Sequence, residues 1–432
     1  MAEQLENAAI LRARGPRGGA DRLSPASYEA VVARATERAL SHAAALASAR
    51  AQAEREIVDL LRRSTQVVTP REARTSSETM PGASGASGAG SIPASESGLH
   101  LWARCEALLE ASWALRNTDP SGMVILAALA LACAEKIRPQ DCGGPAHVAD
   151  LRARAWAELG NAHRVADDKI RADAPLAHAL EAAGEGTGNP LLLARIMDLT
   201  SSLLRDRNSF AEAARLLDWT FAIYSAHGEH HLAGRALISK GMVIGHDGDC
   251  ERAIRLVAAG LDSIDCAADP GLVFSAVHAL IDLNVRLGRF LEGERLLRLS
   301  RRLYAQCANA FNLLRLRWVE GKIAAGLGDI ARAEADLLAV REQFGANRMP
   351  HTVAMVSLDL AELWLGQGRT EEAQELVEEI LATFRALRIR REAISALLTL
   401  RRALANRRAT VELVRSVSAR LRRLEALTAR RS

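Results

Sequence analysis

Residues 241–253 read GMVIGHDGDCERA, and residues 321–333 read GKIAAGLGDIARA. Each stretch opens on a glycine, carries another at the same offset, Gly248 or Gly328, and closes on an alanine at Ala253 or Ala333. The same frame extends outward in both directions. Small residues stand at Gly160, Ser201, Gly241, Gly321 and Ala361, with Ile281 as the exception, in steps of 41, 40, 40, 40 and 40. Twelve positions after each come Ala172, Ala213, Ala253, Gly293, Ala333 and Ala373. Between them, at one fixed offset, lie Asp167, Asn208, Gly248, Gly288, Gly328 and Gly368. All are types that tolerate the left-handed backbone on which a helix stops. A period of this length is the mark of a stacked helical hairpin, so the sequence predicts an all-α solenoid.

Composition agrees with that fold. The chain of 432 residues is 49% hydrophobic and 25% charged but only 4% aromatic. Ala, Leu and Arg dominate, and these lose little on entering a helix. Six cysteines (Cys105, Cys133, Cys142, Cys250, Cys266, Cys307) form no CxxC pair. Several fall at apolar helical phases, which points to small buried hydrophobes in a reducing cytoplasm rather than a disulfide frame or zinc site. The start, Met1-Ala2-Glu3-Gln4-Leu5-Glu6, lacks the basic-then-apolar order of a signal peptide. The longest apolar run, Met123 to Ala134, is twelve residues. That is well short of the ~20 needed to cross a bilayer.

Taken in order, residues 1–24 carry Gly15, Pro16, Gly18 and Gly19 among charges and are expected to be disordered. Ser24-Pro25 reads as an N-cap and first helical residue, opening a long amphipathic helix over 25–63 with Tyr28, Val31, Val32, Leu40, Leu46, Ile57, Leu60 and Leu61. Its apolar stripe calls for a cover: the solenoid, a second copy of itself, or a partner. Residues 64–97, with Pro70, Pro81 and a Gly/Ala/Ser run over 82–91, read as a flexible linker. An N-terminal capping hairpin is expected over 98–146, then six repeats over 147–390, then basic capping helices over 391–432. Pro190, Pro270 and Pro350 mark where new helices begin. From Arg385 onward fourteen Arg face three Glu, so the first 384 residues carry −7 of the formal net +4.

The repeats resemble the tetratricopeptide superfamily. Trp156, Leu159, Gly160, Ala172 and Ala179 stand at that motif's offsets, with His163 and Leu176 at its usual aromatic positions. Later units keep Leu237, Gly241, Gly248 and Ala253, then Gly321, Gly328, Asp329 and Ala333. The motif's period is about 34 residues, so the longer units here are similar to the extended repeats of large bacterial regulators of the MalT type. The resemblance implies a right-handed superhelix. It also implies that the second, fifth, ninth and twelfth positions of each first helix line a concave groove.

Carried onto this chain, the second position gives Arg154, Arg195, Arg235, Ser275, Arg315 and Met355, and the ninth begins with Asn161. The twelfth gives Arg164, Arg205, Gly245, Val285, Ala325 and Leu365. Arginine recurring at one position would present a basic ladder to an acidic protein segment or a chain terminus. The alternative is local pairing with Asp198 and Glu158. Toward the C-terminal half the face is expected to turn apolar, with Met355, Leu358, Leu365 and Trp318; burial of Trp318 between repeats is the competing reading.

Other clusters carry less. His227, His230 and His231, and His246, Asp247, Asp249 and Cys250, fall in turns without diagnostic metal spacing, so neither metal nor cofactor is expected. The basic end lacks a helix-turn-helix, aromatic interleaving or zinc spacing and reads as a solvated cap rather than a nucleic-acid site. P-loop, dinucleotide-binding, GxSxG and HExxH signatures are missing from the sequence, which argues against an enzyme. The expectation is a cytoplasmic protein-binding scaffold whose groove holds a protein or peptide. The alternative is a ligand-sensing regulator subunit acting through a partner's DNA-binding domain.

Overall fold

The computed structural model describes residues 29–37, 98–117, 119–141, 143–307, 310–347, 349–386 and 391–428. Among them all regular structure is helical. The helices are α1 (29–37), α2 (Gly98–Ala114), α3 (Pro120–Lys136), α4 (Pro145–Val165), α5 (Asp173–Gly184), α6 (Pro190–Asp206), α7 (Phe210–Ala226), α8 (His230–Asp247) and α9 (Cys250–Ser263). They continue as α10 (Pro270–Arg286), α11 (Phe290–Cys307), α12 (Ala310–Leu327), α13 (Ile330–Ala346), α14 (Pro350–Gly366), α15 (Thr370–Ala386), α16 (Arg391–Ala405) and α17 (Val411–Thr428). The expected disordered start (1–24), the linker (64–97) and most of the expected 25–63 helix lie outside the described residues.

The chain forms two compact units. The smaller joins Ala44–Asp167 with Ala174–Asn189, and so holds α2, α3, α4 and nearly all of α5. Its core is built on small side chains: Cys105, Ala127, Ala130, Ala134, Ala153 and Ala155 are fully buried beside Met123. Ser112 in α2 donates to the Met123 carbonyl of α3 at 2.9 Å, so this buried hydroxyl is satisfied. Thr187 donates its backbone N–H to Asp150 at 3.1 Å, tying the chain after α5 to α4.

The larger unit joins Met1–Ala43, Asp168–Asp173 and Pro190–Ser432. Its hairpins are α6/α7, α8/α9, α10/α11, α12/α13, α14/α15 and α16/α17. Local chemistry sets their limits. Pro190, Pro270 and Pro350 open α6, α10 and α14, as the spacing predicts. All six predicted stop residues across the chain adopt positive φ, from 55° at Asn208 and 61° at Asp167 to 117° at Gly248. Helices α8 and α9 approach each other closely. There a Cβ at Gly234 would meet the Gly260 carbonyl at 2.8 Å, and one at Gly241 would meet the Ala253 carbonyl at 3.0 Å. In α10/α11 the frame is inverted, with the large Ile281 fully buried and glycine at Gly293 where other hairpins carry alanine. Exchanging which side is small preserves the packed volume.

Two further regularities hold the hairpins together. Near the end of each second helix sits a large buried residue: Tyr224, Ile264, Tyr304, Phe344 or Phe384. Each Tyr or Phe fills the space behind the first helix of its own hairpin, as when Phe344 packs edge-on against Trp318 at 6.1 Å. The residue after the turn alternates. Asp249 and Asp329 cap α9 and α13 by accepting the backbone N–H of Arg252 and Arg332. Arg289 and Arg369, at the equivalent place in the hairpins between and after, reach back instead to Glu251 and Glu334 of the preceding second helix. These side chains therefore cap a helix in one hairpin and staple two hairpins in the next.

The last described helices are α16 and α17, and Arg415 of α17 donates to Glu362 of α14 at 2.7 Å. Four of the five described cysteines are buried and Cys307 is partly so, all as free thiols. Helix α1 also belongs to this unit. Its Val31, Val32 and Ala35 are at most 6% exposed and join the core formed by α8 to α12. The stripe that called for a cover is thus covered, over residues 29–37, by the hairpins themselves.

Candidate functional site

The first helices α6, α8, α10, α12 and α14 of the larger unit present the repeat position at which arginine recurs. The side chains there are Arg195, Arg235, Ser275, Arg315 and Met355, and each meets a different environment. Arg235 of α8 donates to Asp198 of α6, 37 residues upstream. Arg195 approaches the same carboxylate at 3.6 Å from within α6. Asp198 is only 6% exposed, so a buried anion is held between two partly buried cations. This is the local pairing that the sequence left as the alternative. Burial, with the Asp198 charge as the next cause, pushes the nearby Tyr224 hydroxyl up to about 12.

The residue 37 positions before Arg315 is His278, not a carboxylate. His278 is buried and hydrogen-bonded to the Tyr304 hydroxyl at 2.9 Å, with Phe274 packed edge-on to Tyr304 at 5.0 Å. Burial, reinforced by the positive field of Arg315, holds the imidazole down to about 4, so at neutral pH it is uncharged. Burial likewise raises the Tyr304 hydroxyl. Arg315 itself is exposed and makes no ion pair among the described residues.

Helix α12 thus carries a strip with Phe311, Arg315, Trp318 and Lys322 on one side, as the three- and four-residue spacing requires. Phe311 is 42% exposed. The Trp318 indole donates to Asp359 of α14 at 2.7 Å, and Lys322 lies 3.9 Å from Asp282 of α10. The strip is therefore anchored on both sides by neighbouring first helices; Arg315 is left facing outward, and Phe311, edge-on to the buried Phe344 at 6.1 Å, is partly exposed.

The other sequence-derived residues fall as follows. In the smaller unit, Arg154 pairs with Glu106 of α2, and Arg164 donates to the fully buried Asn161 at 2.9 and 3.2 Å. Arg205, in the larger unit, pairs with adjacent Asp206 at 2.8 Å. The expected apolar stretch of groove is not formed by these residues: Met355 (3% exposed) and Leu358 (fully buried) are core residues, and Leu365 and Trp318 are partly buried against the same core. The fifth position supplies Asp198, His278, Trp318 and Leu358, all buried or partly buried, and Asp198 and Trp318 bond to neighbouring first helices. The ninth position supplies Asp282, Lys322 and Glu362, all partly exposed and forty residues apart. Their spacing was available in the sequence and singled out only Asn161. Burial raises the Glu362 carboxyl against the lowering effect of Arg415.

Among the described residues no group of three or more His, Cys, Asp and Glu could hold a metal ion, and no helix is long and apolar enough to cross a membrane. No protein-family model matches the sequence, and no curated protein matches it. Among solved structures the chain is similar to aspartyl phosphate phosphatase F from Bacillus subtilis, at 11% identity and a TM-score of 0.49, over 66% of this chain and 70% of that one. At that level the likeness assigns no function, and the helical stack rests on its own packing and hydrogen bonds.

Proposed function

We propose that this chain is a non-catalytic binding module and that the face of α10, α12 and α14 receives a protein or peptide segment through Arg315 and Phe311. The observation that carries this reading is the contrast at one repeat position. The carboxylate that neutralises Arg235 is replaced, two hairpins along in the same relation, by an uncharged histidine near Arg315. An outward guanidinium with no carboxylate partner among the described residues favours a carboxylate from elsewhere, and the partly exposed ring four residues before it favours an adjoining apolar side chain. The guest is therefore a segment pairing an acidic group, or a C-terminal carboxylate, with a large apolar residue. The acidic preference expected for a whole ladder contracts to this one place, since Arg154, Arg195 and Arg235 are paired within the chain.

The experiment is a peptide array of acidic, basic and neutral segments, each with and without an aromatic residue, probed with the full chain. Acidic aromatic peptides should bind. His278→Asp, which recreates beneath Arg315 the carboxylate found beneath Arg235, should abolish that binding as fully as Arg315→Glu. Retention of the same peptides by both variants would show that the guest goes elsewhere.

A further inference from the structure

The second helices α9 and α11 are separated by α10, on which both pack, and α1 lies across them. Glu29 is 3.8 Å from Arg295 of α11, and Arg34 is 3.2 Å from Asp262 of α9. Between those two charges Val31 and Val32 turn inward, and just beyond the second Ala35 and Thr36 do so too, all at most 6% exposed. This is the arrangement of an amphipathic helix in a groove, with apolar anchors on one face and charges that fix its direction.

Three observations indicate that α1 is a weakly held occupant. The Arg34–Asp262 pair is largely solvated, with side-chain exposures of 54% and 64%, and Arg295–Glu29 is long and open on the Arg295 side, at 56% against 24%. Pairs of that kind add little affinity. The Thr36 hydroxyl is buried with no hydrogen-bond partner among the described residues, which works against docking. The surface also extends beyond the anchors: on α11, Leu291 and Leu299 lie one turn either side of Arg295 and remain 57% and 45% exposed. They offer apolar ground that the described turns of α1 leave uncovered.

We propose that the α9–α11 surface is an exchangeable helix-binding site that α1 fills in cis. Its partner is an amphipathic helix of another protein carrying the same chemistry. That chemistry is an acidic residue, two adjacent β-branched apolar residues starting two positions on, a basic residue five positions after the acid, and a small residue next to it. This surface belongs to the second helices and is independent of the Arg315 strip on the first helices. Such a partner gains over α1 by covering Leu291 and Leu299, so it displaces the resident helix instead of adding to it.

The test uses the full chain and a fluorescent peptide of residues 25–40 as probe, read by anisotropy. Val31→Asp with Val32→Asp empties the site; Glu29→Arg with Arg34→Glu loosens α1 by charge alone and serves where the first pair disturbs folding, as judged by circular dichroism. The peptide should bind the emptied or loosened chain about tenfold more tightly than the unaltered chain, since the resident helix no longer competes. Adding Arg295→Glu should weaken that binding about threefold, and a Glu29→Arg peptide should restore it. Equal affinity for emptied and unaltered chains, no binding to a folded emptied chain, or indifference to Arg295→Glu would each overturn the assignment and leave α1 a fixed strap.

Discussion

The α6–α8 contact and the α10–α12 contact are the same piece of architecture two hairpins apart, and they treat arginine in opposite ways. At the first, Arg235 meets the buried carboxylate of Asp198 and becomes part of the packing. At the second, Arg315 stands over a buried neutral histidine and stays in solvent. Repetition of the backbone fixes where a side chain starts; the residue one hairpin upstream decides whether it is structural or available. A periodic feature in a solenoid is therefore a ligand site only where the chain has failed to supply its own ligand.

The comparison can be broken at the Asp198 end with the largest effect. Asp198→Asn leaves two poorly solvated guanidinium groups without their anion, and should cost about 3–5 kcal/mol in urea unfolding of the full chain. A loss below about 1 kcal/mol would mean that the cluster is no more than a surface pair.

Acid sharpens the other end. The unfolded histidine takes up its proton near its ordinary value of 6.5, whereas folded His278 resists until about 4. The folded state thus binds fewer protons in that window, so its stability is fully present above pH 6.5 and declines as pH falls toward 4. The contribution lost is about 3 kcal/mol. His278→Phe should flatten that part of the pH–stability curve; an unchanged slope would place the acid sensitivity elsewhere.

Smaller effects finish the series. Trp318→Phe keeps the ring against Phe344 and removes only the indole bond to Asp359, for an expected loss of about 1 kcal/mol. Arg315→Ala, at an exposed position, should shift stability by no more than about 0.5 kcal/mol while removing peptide binding. If it destabilised the chain as Asp198→Asn does, the two contacts would not differ in kind.

Much of the fold was legible because it depends on backbone needs that few residues meet. Asp167, Asn208 and the four turn glycines announced positive φ, and the prolines at 190, 270 and 350 announced helix starts. The candidate site was legible only in part. Recurrence picked out Arg195, Arg235 and Arg315 together, yet their fates depend on Asp198 and His278, which lie 37 rather than 40 positions upstream. A search at the repeat period passes over that offset, because neighbouring first helices meet about one turn out of phase. Met355 and Leu358 were misplaced for a related reason: a short error in helical phase exchanges groove for core. That α1 would rest on second helices was not written in its own residues, since an apolar stripe states that a cover is needed and not which one.

The alternation of aspartate and arginine after successive turns bears on how this array could be shortened or lengthened. Excising residues 270–309 would bring Asp329 directly behind Asp249 and leave Glu251 with no arginine reaching back to it. Removing α12 through α15 together would instead take out Arg369 with its Glu334 and keep Arg289 on Glu251, so which hairpins leave together, and not only how many, decides whether the staples stay matched.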